Sequence, residues 1–226
     1  MREETLLPDV TLMQSADVLF IRSHRPLEAL SSAVVGGGFS HVRYILNRHV
    51  HKNYDHPRPA EDMEAFARSI GIAEPFIGLM TAVYLKNTLI VREWAHDIQV
   101  VLVGTVGLSN RIAAGVTPPA PIRAGTINMI LLVDAQLSAA AMVNAIITAT
   151  EAKTAVLHER GLLSPAGAPV TGTSTDAIVI ASTGKGHVHA YAGPVSPVGW
   201  LIARAVRTLL HQHFASTEND TMSAGE

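Results

Sequence analysis

The chain has 226 residues, of which 48% are hydrophobic and only 5% aromatic, so a single large domain with a core of Ala, Val, Ile and Leu is expected. A formal net charge of -2 leaves no electrostatic footprint for nucleic acid or an anionic membrane. The absence of cysteine excludes disulfides, zinc–thiolate sites, iron–sulfur clusters and a thiol nucleophile.

In chain order, Arg2-Glu3-Glu4 opens the sequence without a basic segment leading into an apolar run, so no signal peptide is expected. The apolar stretches are interrupted well short of a membrane span, and a soluble cytoplasmic protein is the expectation. Val18 to Ile21 and Leu27 to Val35 read as two strands, the second ending at Gly36-Gly37-Gly38, and Tyr44 to Val50 continues the sheet. Pro57 to Pro59 breaks regular structure, and Ala60 to Ile70 reads as a helix closed by Gly71. Leu89 to Val106 is rich in β-branched residues, and Thr117 to Pro121 is a proline-rich connection. Gly125 to Val133 reads as a strand, Leu137 to Gly161 as a long helix, Asp176 to Ala181 as a strand and Pro197 to Phe214 as a helix with Trp200, Ala203, Val206, Leu210 and Phe214 on its apolar stripe. This order predicts an α/β (or α+β) layered sandwich, a mixed β-sheet covered by helices, in one domain over residues 1–214; the small polar residues 215–226 are expected to form a disordered tail.

Several stretches combine glycine with hydroxyl and amide side chains, as a hydrogen-bonding cleft requires. They are Ser31-Ser32 with Gly36-Gly37-Gly38, followed by Asn47 and Tyr54; Gly78 to Thr81; Gly104 to Asn110 with Ser109; Gly125-Thr126-Ile127-Asn128; Thr150-Glu151-Ala152-Lys153-Thr154; Thr171-Gly172-Thr173-Ser174-Thr175-Asp176; and Tyr191-Ala192-Gly193. Turns use the same residues, and none of these stretches forms a phosphate-binding fingerprint or a nucleophile elbow.

Taken in order from about Ser31 to about Ile202, the set resembles the adenosylcobinamide amidohydrolase family, most specifically in Gly125 to Asn128, Thr150 to Thr154 and Thr171 to Asp176. The resemblance implies hydrolysis of the amide joining aminopropanol to the corrin ring, giving adenosylcobyric acid and 1-aminopropan-2-ol for cobalamin salvage. No cofactor is then required, because the corrinoid cobalt belongs to the substrate. The partner is a small-molecule corrinoid; assembly into a homo-oligomer is left open. A non-catalytic corrinoid-binding module for transport or sensing is the alternative, and an amidohydrolase acting on another bulky amide is a third reading.

Helical spacing refines the candidates. Met142, Ile146, Ala149, Val156 and Leu157 make an apolar stripe with Lys153 in its middle, while Asn144, Thr148, Glu151 and His158 make the opposite face. Glu151 and Lys153, about 200° apart, cannot share one shell. Lys153 either lays its methylenes on apolar surface or hydrogen-bonds a substrate carbonyl or steers a carboxylate, and Glu151 is either solvated or catalytic. Asp176 either closes an Asx-type turn or, with Glu151 as its rival, activates water or the Thr173 hydroxyl. Backbone N–H groups near Gly172, or Asn and Ser side chains, would hold the oxyanion. Substrate-binding candidates are Ser31, Ser32, Gly36, Gly37, Asn47, Thr81, Ser109, Asn110, Asn128, Thr175 and Tyr191. His49-x-His51 and His187-x-His189, joined by His56 or Asp176, are the only spacing that suggests a protein-bound metal, and the reading carries none. Trp94 is expected in the core.

Overall fold

The computed structural model describes residues 2–120 and 125–223. The elements in chain order are β1 (Arg2–Leu7), β2 (Val10–Gln14), β3 (Val18–Ser31), β4 (Gly38–His49), α1 (Pro59–Ser69), β5 (Phe76–Thr81), β6 (Leu89–Ala95), β7 (Ile98–Val106), β8 (Arg111–Ile112), β9 (Ile127–Val133), β10 (Gln136–Leu137), α2 (Ala139–Glu159), β11 (Gly172–Thr173), β12 (Ala177–Ser182), β13 (Val188–His189) and α3 (Pro197–Ser223). The mixed sheet and covering helices are those expected, with additions: the charged N-terminal stretch forms a hairpin, β1–β2, Phe76–Thr81 adds the strand β5, and β8, β10, β11 and β13 are two-residue strands that the sequence did not announce.

The two strands expected around Pro26 are one. β3 pairs with β4 on both sides of a register shift between Arg22 and Leu27, where a residue without a backbone N–H is tolerated. The shift divides the work of β3. Before it, Leu19 to Ser23 pair with β2; after it, Glu28 to Ser31 pair with β12, which continues through β9 and β7 to β6. The sheet therefore forks and curls, and its far strands meet where Arg92 of β6 donates to the Glu4 carboxylate of β1 at 2.7 Å.

Three apolar layers follow. Inside the curl, Leu12, Ile21, Ile45, Leu79, Val101, Val103, Ile130, Leu132 and Val179 fill the space between the two leaves. On the outer face of the second leaf, the alternate residues Val100, Leu102, Met129, Leu131, Ile178 and Ile180 pack on α2 and α3. On the outer face of the first, α1 buries Met63 and Ala67 against Val18 and Leu46. Strands covered on both faces read as continuous apolar runs, as β7, β9 and β12 do.

The helices follow their signals. α1 begins with Pro59 in its first turn and is stopped by Gly71, whose φ of 84° is left-handed. Ser138 caps α2 by accepting from the Ala141 N–H at 3.1 Å. α3 does not end at Phe214 but runs to Ser223, because 215–223 contain neither glycine nor proline and Glu218 pairs with Arg160 at 3.0 Å. Residues 224–226 of the expected tail, and Pro121 of the proline-rich connection, lie outside the described residues. The buried face of α3 is Val198, Leu201, Ile202, Ala205, Val206, Leu209 and Leu210; Trp200 is half-exposed beneath the Arg204 guanidinium. Trp94 is a correction too. It is 71% exposed on β6, the strand that ends the sheet order.

Candidate functional site

At one end of the inner interface the strands change character. The inward residue after Ile45 is Asn47, after Leu79 Thr81, after Val103 Thr105, and before Ile130 Asn128. All four polar residues are buried, and they satisfy one another. Asn128 Nδ2 donates to Asn47 Oδ1 at 2.9 Å and to the Met80 carbonyl at 2.8 Å. Asn47 Nδ2 donates to Thr105 Oγ1, which donates to Thr81 Oγ1. Thr126 Oγ1 lies 3.0 Å from Asn128 Oδ1 and 2.7 Å from the Thr175 carbonyl. With both amide protons engaged and its oxygen beside the Thr126 hydroxyl, the Asn128 side chain is held in a fixed orientation.

This polar floor underlies a cavity of about 520 Å³. Its walls come from Ser32 and Val34 after β3, Val50 and Tyr54–His56 after β4, Leu79–Ala82 at the end of β5, Gly125, Thr126 and Asn128 at the start of β9, and Ser174–Ala177 before β12. A volume of this size takes part of a large ligand or all of a small one.

Asp176 is the most heavily coordinated side chain in the wall. Its Oδ1 accepts from the Ile127 N–H at 2.9 Å and from Thr173 Oγ1, and its Oδ2 from the Thr173 N–H at 3.2 Å and from Lys153 Nζ. Four donors engage the two oxygens from the side of the turn and the helix. The carboxylate is thereby locked in one orientation, and the start of β9, the 173–176 turn and α2 are tied at a single point. The Thr173 bonds are local but run from three residues before Asp176, not from the N–H two residues after it as in the expected Asx-type turn; the Lys153 and Ile127 bonds reach further. The Ser174 hydroxyl accepts from Asn110 Nδ2, which leaves its own proton for a ligand.

The opposite wall is anchored by α1. Tyr54 Oη donates to Asp62 Oδ2 at 2.8 Å, and Arg48 Nη1 reaches the same oxygen at 2.9 Å. Burial, then the bond to Asp62, pushes the Tyr54 phenol up to about 12. The Tyr54 hydrogen bond and the Arg48 charge hold the Asp62 carboxyl below its ordinary value against the opposing effect of burial. His56 Nδ1 accepts from the Arg58 N–H at 3.1 Å, so a neutral His56 carries its proton on Nε2.

Of the residues expected at a site, Ser32, Thr81, Asn128, Thr175 and Asp176 line the cavity. Asn47, Asn110, Lys153 and Thr173 stand directly behind it through the bonds above. Ser31 caps its own turn by accepting from the Ala33 N–H. Gly36 and Gly37 shape that turn; at Gly36 (φ 71°) a Cβ would come within 2.6 Å of the Phe76 carbonyl oxygen. Ser109 lies against Gly125 outside the lining. Glu151 is exposed on α2 and is not brought to Asp176, while Thr148, expected beside it on the polar face, is buried with its hydroxyl on the Ala192 carbonyl. Tyr191 is 72% exposed in the segment after β13 and outside the lining. His187 and His189, with ring centroids 4.3 Å apart, lie beyond the end of β12 whereas Asp176 precedes its start, so these groups do not meet. His49 turns Nδ1 to the Val83 carbonyl at 3.1 Å, separately from His51 and His56. Asp55 and Val50 were not among the expected site residues. The signal available was position: a Tyr-Asp-His run between a strand end and the proline pair that opens α1.

A family model for adenosylcobinamide amidohydrolases matches residues 4–221. The chain is similar to the adenosylcobinamide amidohydrolase of Methanosarcina mazei, at 36% identity over 154 residues covering 68% of each chain. It is also similar to the protein of that name from Halobacterium salinarum, at 35% identity over 136 residues covering 55% of this chain and 56% of the relative. An uncharacterised protein of Methanocaldococcus jannaschii is 31% identical over 196 residues, 75% of this chain and 76% of that one. The match spans every element that builds the cavity, and the chain belongs to the adenosylcobinamide amidohydrolase family, hydrolases acting on an amide.

Proposed function

We propose that this chain hydrolyses the amide between aminopropanol and the corrin ring of adenosylcobinamide, releasing adenosylcobyric acid and 1-aminopropan-2-ol. The observation that carries the reading is a cavity with an oriented carboxylate in its wall, in a chain of this family. A corrinoid is larger than the cavity, so the amide-bearing arm and the adjoining ring edge enter while the rest of the macrocycle lies across the mouth. The aliphatic wall of Val34, Val50, Leu79 and Ala82 suits the ring edge, and the Asn128 oxygen suits an amide N–H of the corrin rim.

In this reading Asp176 orients a water at its cavity edge and takes a proton as the water oxygen bonds to the carbonyl carbon. The Ser174 hydroxyl donates to the developing oxyanion. The C–N bond then breaks, and the amine nitrogen leaves with the proton. Glu151 has no part in it. The test is mass spectrometry of pure protein incubated with adenosylcobinamide in dim light. Stoichiometric appearance of adenosylcobyric acid and aminopropanol is expected. A corrinoid that binds and returns unchanged would replace the enzyme with a binding module.

A further inference from the structure

Lys153 is 5% exposed in the middle of the apolar face of α2, between Ala149, Ala152, Val156 and Leu157, and it does not line the cavity. An ammonium in such surroundings is unfavourable unless it is paired, and its partner is Asp176 Oδ2. The neighbouring Gly172 marks how closely that pair is built in. Its backbone is not left-handed, so chain torsion alone does not call for glycine. A Cβ at this position, however, would fall 2.6 Å from Lys153 Nζ and closer still to the Asp176 carboxylate. Residues 153, 172 and 176 therefore satisfy one steric and electrostatic condition, and the turn they hold carries Ser174, Thr175 and Asp176 into the cavity wall.

We infer that Lys153 is a positioning residue for amide hydrolysis: from behind the wall its ammonium fixes the Asp176 carboxylate, and Gly172 leaves room for the pair. The inference rests on the hydrolytic reading above. It assigns Lys153 no contact with substrate. The ammonium supplies a charge-assisted bond that points the carboxylate, with the Thr173 and Ile127 N–H groups as its other guides. Such a residue acts on the reacting geometry more than on ground-state binding. Its loss should therefore appear in kcat rather than in KM.

The experiment measures amine release per bound corrinoid for wild type, Lys153→Met and Gly172→Ala. Lys153→Met is expected to lower kcat about 100-fold, the scale of a misplaced catalytic group, with KM little changed. Gly172→Ala keeps both charges but crowds them, and should lower kcat in the same selective way. The chain has no cysteine, so Lys153→Cys can be aminoethylated at a single thiol under denaturing conditions and refolded, with wild type carried through the same steps. Restoring the ammonium should restore most of the turnover. Folded Lys153→Met or Gly172→Ala turning over at the wild-type rate would overturn the inference and leave the hydrolytic reading standing. So would a loss confined to KM, or an aminoethylated protein no faster than its unmodified parent while wild type recovers. If Lys153→Met does not fold, Gly172→Ala decides. A wild type that releases no amine would remove the hydrolytic reading and this inference together.

Discussion

The interface between the two leaves is filled in two ways by the same strands. Along β7 the inward side chains are Val101, Val103 and then Thr105; along β5, Ile77, Leu79 and then Thr81; along β9, towards its start, Leu132, Ile130 and then Asn128. The apolar half gains from every square ångström removed from water, about 25 cal/mol each. The polar half gains little net free energy, since its hydrogen bonds replace bonds to water, but each buried group restricts the orientation of the next. Stability and site geometry thus occupy adjacent positions two residues apart, and substitution should separate them.

The largest separation is expected at the site. Asp176→Asn should lower amine release on the order of 10³-fold per folded molecule while corrinoid affinity, followed by equilibrium titration, changes little. Near-normal turnover would take Asp176 out of the chemistry. In the apolar half, Leu132→Ala should cost about 2–5 kcal/mol in denaturant unfolding and leave turnover per folded molecule intact. A fall in that turnover would show that the two halves are not independent. Asn47→Ala, on the boundary, leaves an Asn128 N–H without its acceptor and should cost about 1–3 kcal/mol. Because the Asn128 amide then keeps the Met80 carbonyl but loses one of its two acceptors, KM should also rise, whereas an unchanged KM would reduce Asn47 to a packing residue.

The smallest effects concern pH at the α1 wall. The Asp62 carboxyl is lowered in the fold, so its contribution to stability is complete above about pH 4 and is lost as acid titrates it through its folded value. The Tyr54 phenol is raised to about 12, so its contribution is complete below about pH 10 and is lost as the pH rises through that value. Ultraviolet titration should show one late phenolate that Tyr54→Phe removes. A Tyr54 that ionises at the ordinary phenol value of about 10 would mean that the wall is not docked.

Much of the fold was legible because its signals are local. Ser138, Gly161, Pro59 and Gly71 bound α2 and α1 within a residue or two of the expected ends, and the apolar runs of β9 and β12 read as strands. The hairpin β1–β2 was not legible, since Glu3 and Glu4 hide a strand that is stabilised by Arg92, 88 residues away from Glu4. Trp94 misled for the same reason: bulk predicts burial, but only the sheet order makes β6 an edge. In the site, Asn128, Thr175 and Asp176 were recognisable from residue type. Helical geometry separated Lys153 from Glu151, but which of the two faces inward depended on the turn that α2 packs against. Asn47 shows the remaining limit, because its role lies in hydrogen bonds to Thr105 and Asn128 that no spacing along the chain encodes.

The cavity walls are drawn from positions scattered between Ser32 and Ala177, with Asn128 of the second leaf donating to the Met80 carbonyl of the first. No single strand or hairpin holds a complete set of walls, so the cavity exists only when the curl has closed. A ligand held there should act as a clasp across the whole fold, protecting cleavage sites far from the cavity against proteases.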